Sequence, residues 1–150
     1  SKAGRSTGKK PIVVRSLLDT NLLVYADAAD EPAKQRRALD LITTLRAEGS
    51  AVLSTQVLHE YVNVALRKLR LPPTLIRERL TFYRRFEVVP ASADLIAGAL
   101  DLHVLHGLSF YDALIVQAAV ASGCQRVLSG DMQHDARFGP VRIENPFKGL

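Results

Sequence analysis

Four acidic residues, Asp19, Glu60, Asp112 and Asp131, each lie within or at the end of an apolar segment. Asp19 sits in Leu17-Leu18-Asp19-Thr20-Asn21-Leu22-Leu23-Val24, and Asp112 in Phe110-Tyr111-Asp112-Ala113-Leu114-Ile115-Val116. A carboxylate in such surroundings loses water without compensation. If the four converge, two carboxylates about 4 Å apart repel by roughly 4 kcal/mol at the effective dielectric of a protein surface, and four multiply the conflict. A hard divalent cation with oxygen ligands offsets that repulsion. Mg2+ or Mn2+ suits an all-oxygen site that keeps several waters. Each acid also has a structural explanation of its own. Asp19 and Asp112 could serve helix N-termini, Glu60 could pair with an arginine such as Arg67, and Asp131 could be a turn residue. Those explanations need four coincidences at one edge, so the metal reading is preferred. His59, His103, His106 and His134 are scattered, which favours surface or core roles over zinc ligation.

Short apolar runs that end in polar residues mark five strands: Ile12 to Leu18, Ala51 to Ser54, Phe86 to Val89, Arg126 to Ser129 and Val141 to Glu144. Helical spacing fills the intervals at about Ala33 to Glu48, Gln56 to Arg70, Thr74 to Phe86, Ala93 to His106 and Phe110 to Ser122. Pro72-Pro73, Gly107 and Gly123 punctuate them. Strands alternating with helices predict an α/β fold, a mostly parallel sheet with helices on both faces. Ligands in such sheets bind outside the carboxyl ends of the strands. Asp19 closes the first strand and Asp131 follows the fourth. Glu60 lies about one turn into the helix after the second strand, and Asp112 lies in the first turn of the last helix. Gln56, Glu60, Asn63, Arg67 and Arg70 form a polar stripe on an otherwise apolar helix.

The 150 residues, 47% of them hydrophobic, fit one domain able to bury its own core. We expect it to span 11–150, after a basic leader at 1–10. That leader holds Lys2, Arg5, Lys9 and Lys10; without it, 16 basic residues face 15 acidic ones, so the body is nearly neutral. Gly4 to Lys9 fails as a phosphate loop, having one residue too few between its glycines and Lys10 in place of Ser or Thr. From Arg67 to Arg85, seven basic residues face the single acid Glu78. Within that segment Arg67, Lys68, Arg70, Arg84 and Arg85 are candidates for contacts with an RNA backbone, against the alternative of a solvated helix face. Cys124 is the only cysteine, which precludes an internal disulfide and suits a reducing cytosol. No apolar run reaches the roughly 20 residues of a membrane span. A soluble, cytoplasmic protein with no membrane partner is expected.

At the four acids the chain resembles the PIN-domain nucleases, in particular the VapC-type toxins of toxin–antitoxin modules, from about Ile12 to Phe147. An apolar strand ending in Leu18-Asp19-Thr20-Asn21 matches the opening signature of that family. Glu60 in Thr55-Gln56-Val57-Leu58-His59-Glu60-Tyr61 matches its second acid, Asp112 its third, and Ser129-Gly130-Asp131 its fourth. Two departures stand out: Gly130 replaces a basic residue common in relatives, and a nearby Asp-Phe pair becomes Asp135-Ala136-Arg137-Phe138. Asp135 is therefore an alternative to Asp131.

The resemblance implies a PIN-like three-layer α/β/α fold and metal-dependent endoribonuclease activity. It implies Asp19 and Asp112 clamping Mg2+ or Mn2+, with Glu60 and Asp131 completing or orienting the shell. Thr20, Asn21 and Ser129 would orient ligands or phosphate. It further implies a homodimer and a cognate antitoxin whose basic side chain enters the acidic pocket. One alternative is a haloacid-dehalogenase-like phosphatase, from Asp19-Thr20-Asn21 and the Gly130-to-Asp135 segment, although Asn21 stands where that class carries a second aspartate. Another is a non-catalytic RNA- or protein-binding module.

Overall fold

β1 (Ser16–Leu18) is buried along its whole length, and Leu17 and Leu18 have no exposure. A strand buried on both pleat directions needs cover on both faces, as parallel sheets have. The computed structural model, which describes residues 14–150, supplies that cover with helices. The leader and the start of the first predicted strand, Ile12 and Val13, lie outside the described residues.

After β1 come α1 (Thr20–Ala26), α2 (Pro32–Ala47), β2 (Ala51–Ser54), α3 (Thr55–Arg67), α4 (Pro73–Tyr83) and β3 (Glu87–Val89). Then follow α5 (Ala93–His106), α6 (Phe110–Ala121), β4 (Arg126–Leu128), β5 (Arg137–Phe138) and β6 (Val141–Glu144). The sheet order is β3-β2-β1-β4-β6-β5. All neighbours are parallel except β5, which runs antiparallel to β6. From β1 the chain steps outward to β2 and then β3, and returns across the sheet to β4 on the other side of β1. Right-handed crossovers therefore put α1 to α4 on one face and α5 and α6 on the other, the three-layer arrangement. α6 packs against β1, β2, β4 and β6. Its buried Ala113, Leu114, Ile115, Val116, Ala118 and Ala119 explain why it reads as apolar all round. Burying each Leu, Val or Ile of this core contributes about 1.5–3 kcal/mol.

The sheet has six strands among the described residues, one more than the five expected. The extra strand, β5, is two residues long, too short for alternation to show in sequence. Also missed was α1, whose seven residues continue the apolar run of β1. Asp19 separates the two elements: its extended backbone ends the strand, and its side chain accepts from the Thr20 amide to cap the helix. α3 stops at Arg67 rather than Arg70, because Arg70 adopts a left-handed conformation (φ 55°) ahead of Pro72 and Pro73. The polar stripe on that helix therefore ends one residue before the loop.

Candidate active site at the carboxyl edge of the sheet

The order reversal at β1 opens a crevice between the ends of β1 and β4, where sheets of this type bind ligands. Asp19 and Ser129 occupy those two ends. The Asp19 amide donates to the Leu128 carbonyl at 2.9 Å, and the Ser129 amide donates to the Glu144 carbonyl at 3.0 Å. Asp19 is 8% exposed, with Oδ1 accepting from the Thr20 amide (2.8 Å) and Oδ2 from the Ser129 hydroxyl (2.7 Å). The Ser129 oxygen in turn accepts from the amides of Asp131 and Met132, each at 3.1 Å, so its hydrogen-bonding capacity is fully used. Burial pushes the Asp19 carboxyl up to about 6, against the lowering effect of the Ser129 and Thr20 bonds, and the charges of Glu60 and Asp131 push the same way.

Glu60, half-buried on α3, accepts from the Thr20 hydroxyl at 2.6 Å and from Gln56 Nε2 at 3.4 Å. Asp131 is exposed in the turn after β4 and lines, with Thr20, Asn21, Glu60, Asn63 and Lys68, a cleft of about 610 Å³. Asn21 Oδ1 accepts from the Gly130 amide at 2.9 Å. That side chain thus fixes the β4 turn and is not a spare proton donor of the kind a phosphatase of the alternative class requires. At Gly130, where the resemblance predicts a basic residue, there is little room for a side chain. A Cβ there would meet Phe147 Cδ2 at 3.0 Å and Asn21 Oδ1 at 3.3 Å.

Asp112 is placed differently. Its amide is capped by the Ser109 hydroxyl (3.1 Å) in the first turn of α6, and its side chain does not line the cleft. It adjoins the other acids through Gln56, whose Nε2 bridges Glu60 and the Tyr111 carbonyl (3.2 Å). The structure therefore draws Asp19, Glu60 and Asp131 into electrostatic reach and leaves Asp112 beside them. Among the described residues, no three His, Cys, Asp or Glu side chains are gathered tightly enough to enclose a metal ion. The oxygens of Asp19 and Glu60 are turned instead toward Thr20, Ser129 and Gln56. Asp135 lies apart, with φ 66° and its carboxylate paired to Arg142 and His134 at 3.3 Å each.

Of the basic candidates, Lys68 lines the cleft, whereas Arg67, Arg70, Arg84 and Arg85 are exposed elsewhere. Arg79 belongs to the same sequence cluster but is committed: its Nε donates to Asp27 Oδ1 at 2.9 Å. Asp27, whose side chain is 5% exposed, also accepts from the hydroxyl of the fully buried Tyr61. Burial and then the Asp27 contact push the Tyr61 hydroxyl above its ordinary range. Sequence reading missed this trio, because Asp27 and Arg79 are far apart in the chain and neither carries a motif. His134 accepts from the Asn145 amide (3.0 Å), and a His103 ring nitrogen meets the Leu108 carbonyl.

A PIN domain family model matches residues 16–137, and the matched span contains all four acids. The chain belongs to the PIN domain family. Solved structures superpose on it over most of its length. A toxin–antitoxin complex from Klebsiella pneumoniae is 20% identical, with 88% of this chain and 98% of that one covered and a TM-score of 0.63. VapC20 of Mycobacterium tuberculosis, a toxin that cleaves the sarcin–ricin loop, is 22% identical, with coverage of 77% and 91% and a TM-score of 0.58. VapBC2 from Rickettsia felis, bound to a DNA fragment from its promoter, is 20% identical, with coverage of 87% and 97% and a TM-score of 0.63. At these identities the likeness establishes that the PIN domain fold is shared. Comparison with curated proteins gives no significant match. Among the described residues of this PIN domain, no single helix is long and apolar enough to cross a membrane.

Proposed function

We propose that this PIN domain is a metal-dependent endoribonuclease, the toxin of a toxin–antitoxin pair. The observation that carries the reading is the set of carboxylates at the switch point. Asp19 is buried and ionises against its surroundings, beside Glu60 and Asp131. Among the described residues, none of Asp19, Glu60, Asp112 or Asp131 has an ion-pair partner. An all-oxygen, uncompensated donor set fits a hard divalent cation. Asp19, Glu60, Asp112 and Asp131 are the residues that would hold it. Magnesium or manganese, when bound, supplies the positive charge that activates water and offsets charge developing on a scissile phosphate.

The chain's own groups do the rest. Ser129 and the Thr20 amide hold the Asp19 carboxylate in one orientation, and the Thr20 hydroxyl holds Glu60. With its carboxyl at about 6, Asp19 is mostly ionised at neutral pH and ready to ligate. Asn21 keeps the β4 turn, and hence Asp131, against α1. Lys68 at the cleft wall, together with the exposed Arg67, Arg70, Arg84 and Arg85, offers phosphate contacts. In-line attack by water leaves a 5′-phosphate and a 3′-hydroxyl.

The partners proposed are RNA, a cognate antitoxin and a second copy of the chain. The antitoxin reading is supported by the complexes among the structural relatives and by the acidic cleft, which suits a basic side chain. The pairing of copies is supported by the outer face of α5, where Val104 is 77% and Leu105 74% exposed beside Ile96 and Leu100.

Calorimetric titration of Mn2+ into metal-free protein tests the site. Binding weakened at least tenfold by Asp19→Asn and by Asp112→Asn is the expected result. Equal binding by all four single acid-to-amide variants would exclude these carboxylates as the ligands.

A further inference from the structure

α1 is only seven residues long, and isolated helices shorter than about 12–15 residues are marginal in water. Its setting is therefore dictated by tertiary bonds, and they cluster at its two ends. At the start, Thr20 bonds Glu60 (2.6 Å), Asp19 bonds Ser129 (2.7 Å) and Asn21 bonds Gly130 (2.9 Å). At the end, the cap residue Asp27 takes the Tyr61 hydroxyl on Oδ2 and the Arg79 guanidinium on Oδ1. Glu60 and Tyr61 are consecutive on α3. Neighbouring residues of one helix thus grip opposite ends of another, about 10 Å apart at 1.5 Å per residue. Two grips of this kind fix both the rotation and the axial position of α1 on α3, and Arg79 ties the junction to α4.

We infer that Asp27, Tyr61 and Arg79 are positioning residues that set the spacing of Asp19 and Glu60 across the α1–α3 seam. The inference rests on the ribonuclease reading of that seam. A buried ion pair is a poor source of stability compared with apolar packing of the same volume, because desolvation offsets the attraction. A hydroxyl, a carboxylate and a guanidinium with directional bonds fix a relative orientation that interchangeable apolar contacts would not. The edge-on packing of Tyr61 with Tyr83 (5.6 Å between centroids) leaves the Tyr61 hydroxyl little choice of partner.

Tyr61→Phe removes only the hydroxyl and keeps the ring, so it tests the idea without opening a cavity; Arg79→Lys, which keeps the charge and N–H donors but not the fork geometry, serves as the conservative control. Three readouts are taken well below the melting temperature: steady-state RNA cleavage, Mn2+ calorimetry on metal-free protein, and amide exchange of α1. For Tyr61→Phe we expect kcat and Mn2+ affinity each reduced about tenfold, the effect of disturbing groups that orient metal ligands, with KM little changed. Amides of Leu22 to Ala26 should exchange faster while those of α6 do not, and Arg79→Lys should show a smaller change of each kind than Tyr61→Phe. Unchanged kcat, Mn2+ affinity and α1 exchange, with only the melting temperature lowered, would reduce the trio to structural support. If wild-type protein cleaves no RNA, the ribonuclease reading fails on its own, and the calorimetry and exchange still decide this inference.

Discussion

Asp19→Asn should make the metal-free protein more stable at neutral pH even as it removes activity. The Asp19 carboxyl titrates at about 6 in the fold against 3.8 in an unfolded chain, about 2 units, which corresponds to about 3 kcal/mol. Because the folded pKa is the higher, wild-type protein enjoys that contribution only below pH 3.8 and has lost it once the pH rises through 6. Asparagine keeps Oδ1 as acceptor for the Thr20 amide, so the cap of α1 survives. It cannot accept the Ser129 hydroxyl on its amide nitrogen, however, and the Ser129 oxygen is already occupied by two amides. Losing that bond costs about 1 kcal/mol. The net gain is about 2 kcal/mol at pH 7.5, or about 4–8 °C in melting temperature for a domain of this size. Urea unfolding in EDTA at pH 7.5, 6.0 and 4.5 measures it, and the advantage should shrink as the pH falls. Mg2+ should then raise the stability of wild-type protein and not of the variant. An asparagine variant less stable than wild type at pH 7.5, or a gain that does not vary with pH, would refute the reasoning and make Asp19 a structural cap.

Other perturbations follow from the same geometry. Gly130→Ala forces a methyl against Phe147 and Asn21 and should cost about 1–3 kcal/mol in urea unfolding; an unchanged midpoint would mean that the β4 turn is looser than drawn. Lys68→Ala should weaken RNA binding and lower the slope of log affinity against log salt by about one, whereas an exposed lysine without a phosphate contact would leave the slope alone. Val104→Asp on α5 should give a monomer by light scattering with its melting temperature within a few degrees of wild type, and a species of unchanged mass would remove that face from the pairing.

The alternation of apolar runs and helical spacing revealed the sheet class, because strands buried on both faces leave continuous Val- and Leu-rich signals such as Val52-Leu53 and Val127-Leu128. α1 was hidden for the same reason: Leu22-Leu23-Val24-Tyr25-Ala26 extends the apolar run of β1, and only the extended backbone and cap at Asp19 mark the change. β5 was hidden by its brevity. Three of the four carboxylates came together at one edge because each follows a strand whose end the topology fixes. Asp112 enters from a helix start instead, and its distance from the rim depends on how α6 packs, which spacing alone cannot supply. Charge counting does not show which basic residues are already paired. Arg79 looked like its neighbours in sequence, yet it is held by Asp27, 52 positions away.

Incubating wild-type protein and Asp19→Asn with structured and total RNA in EDTA, Mg2+ or Mn2+, and mapping the ends of the products, tests whether these carboxylates form a metal-dependent nuclease centre. Cuts are expected only with metal and only by wild-type protein, leaving 5′-phosphates. Cleavage that persists in EDTA or in the Asp19→Asn protein, or products ending in 2′,3′-cyclic phosphates, would contradict that assignment.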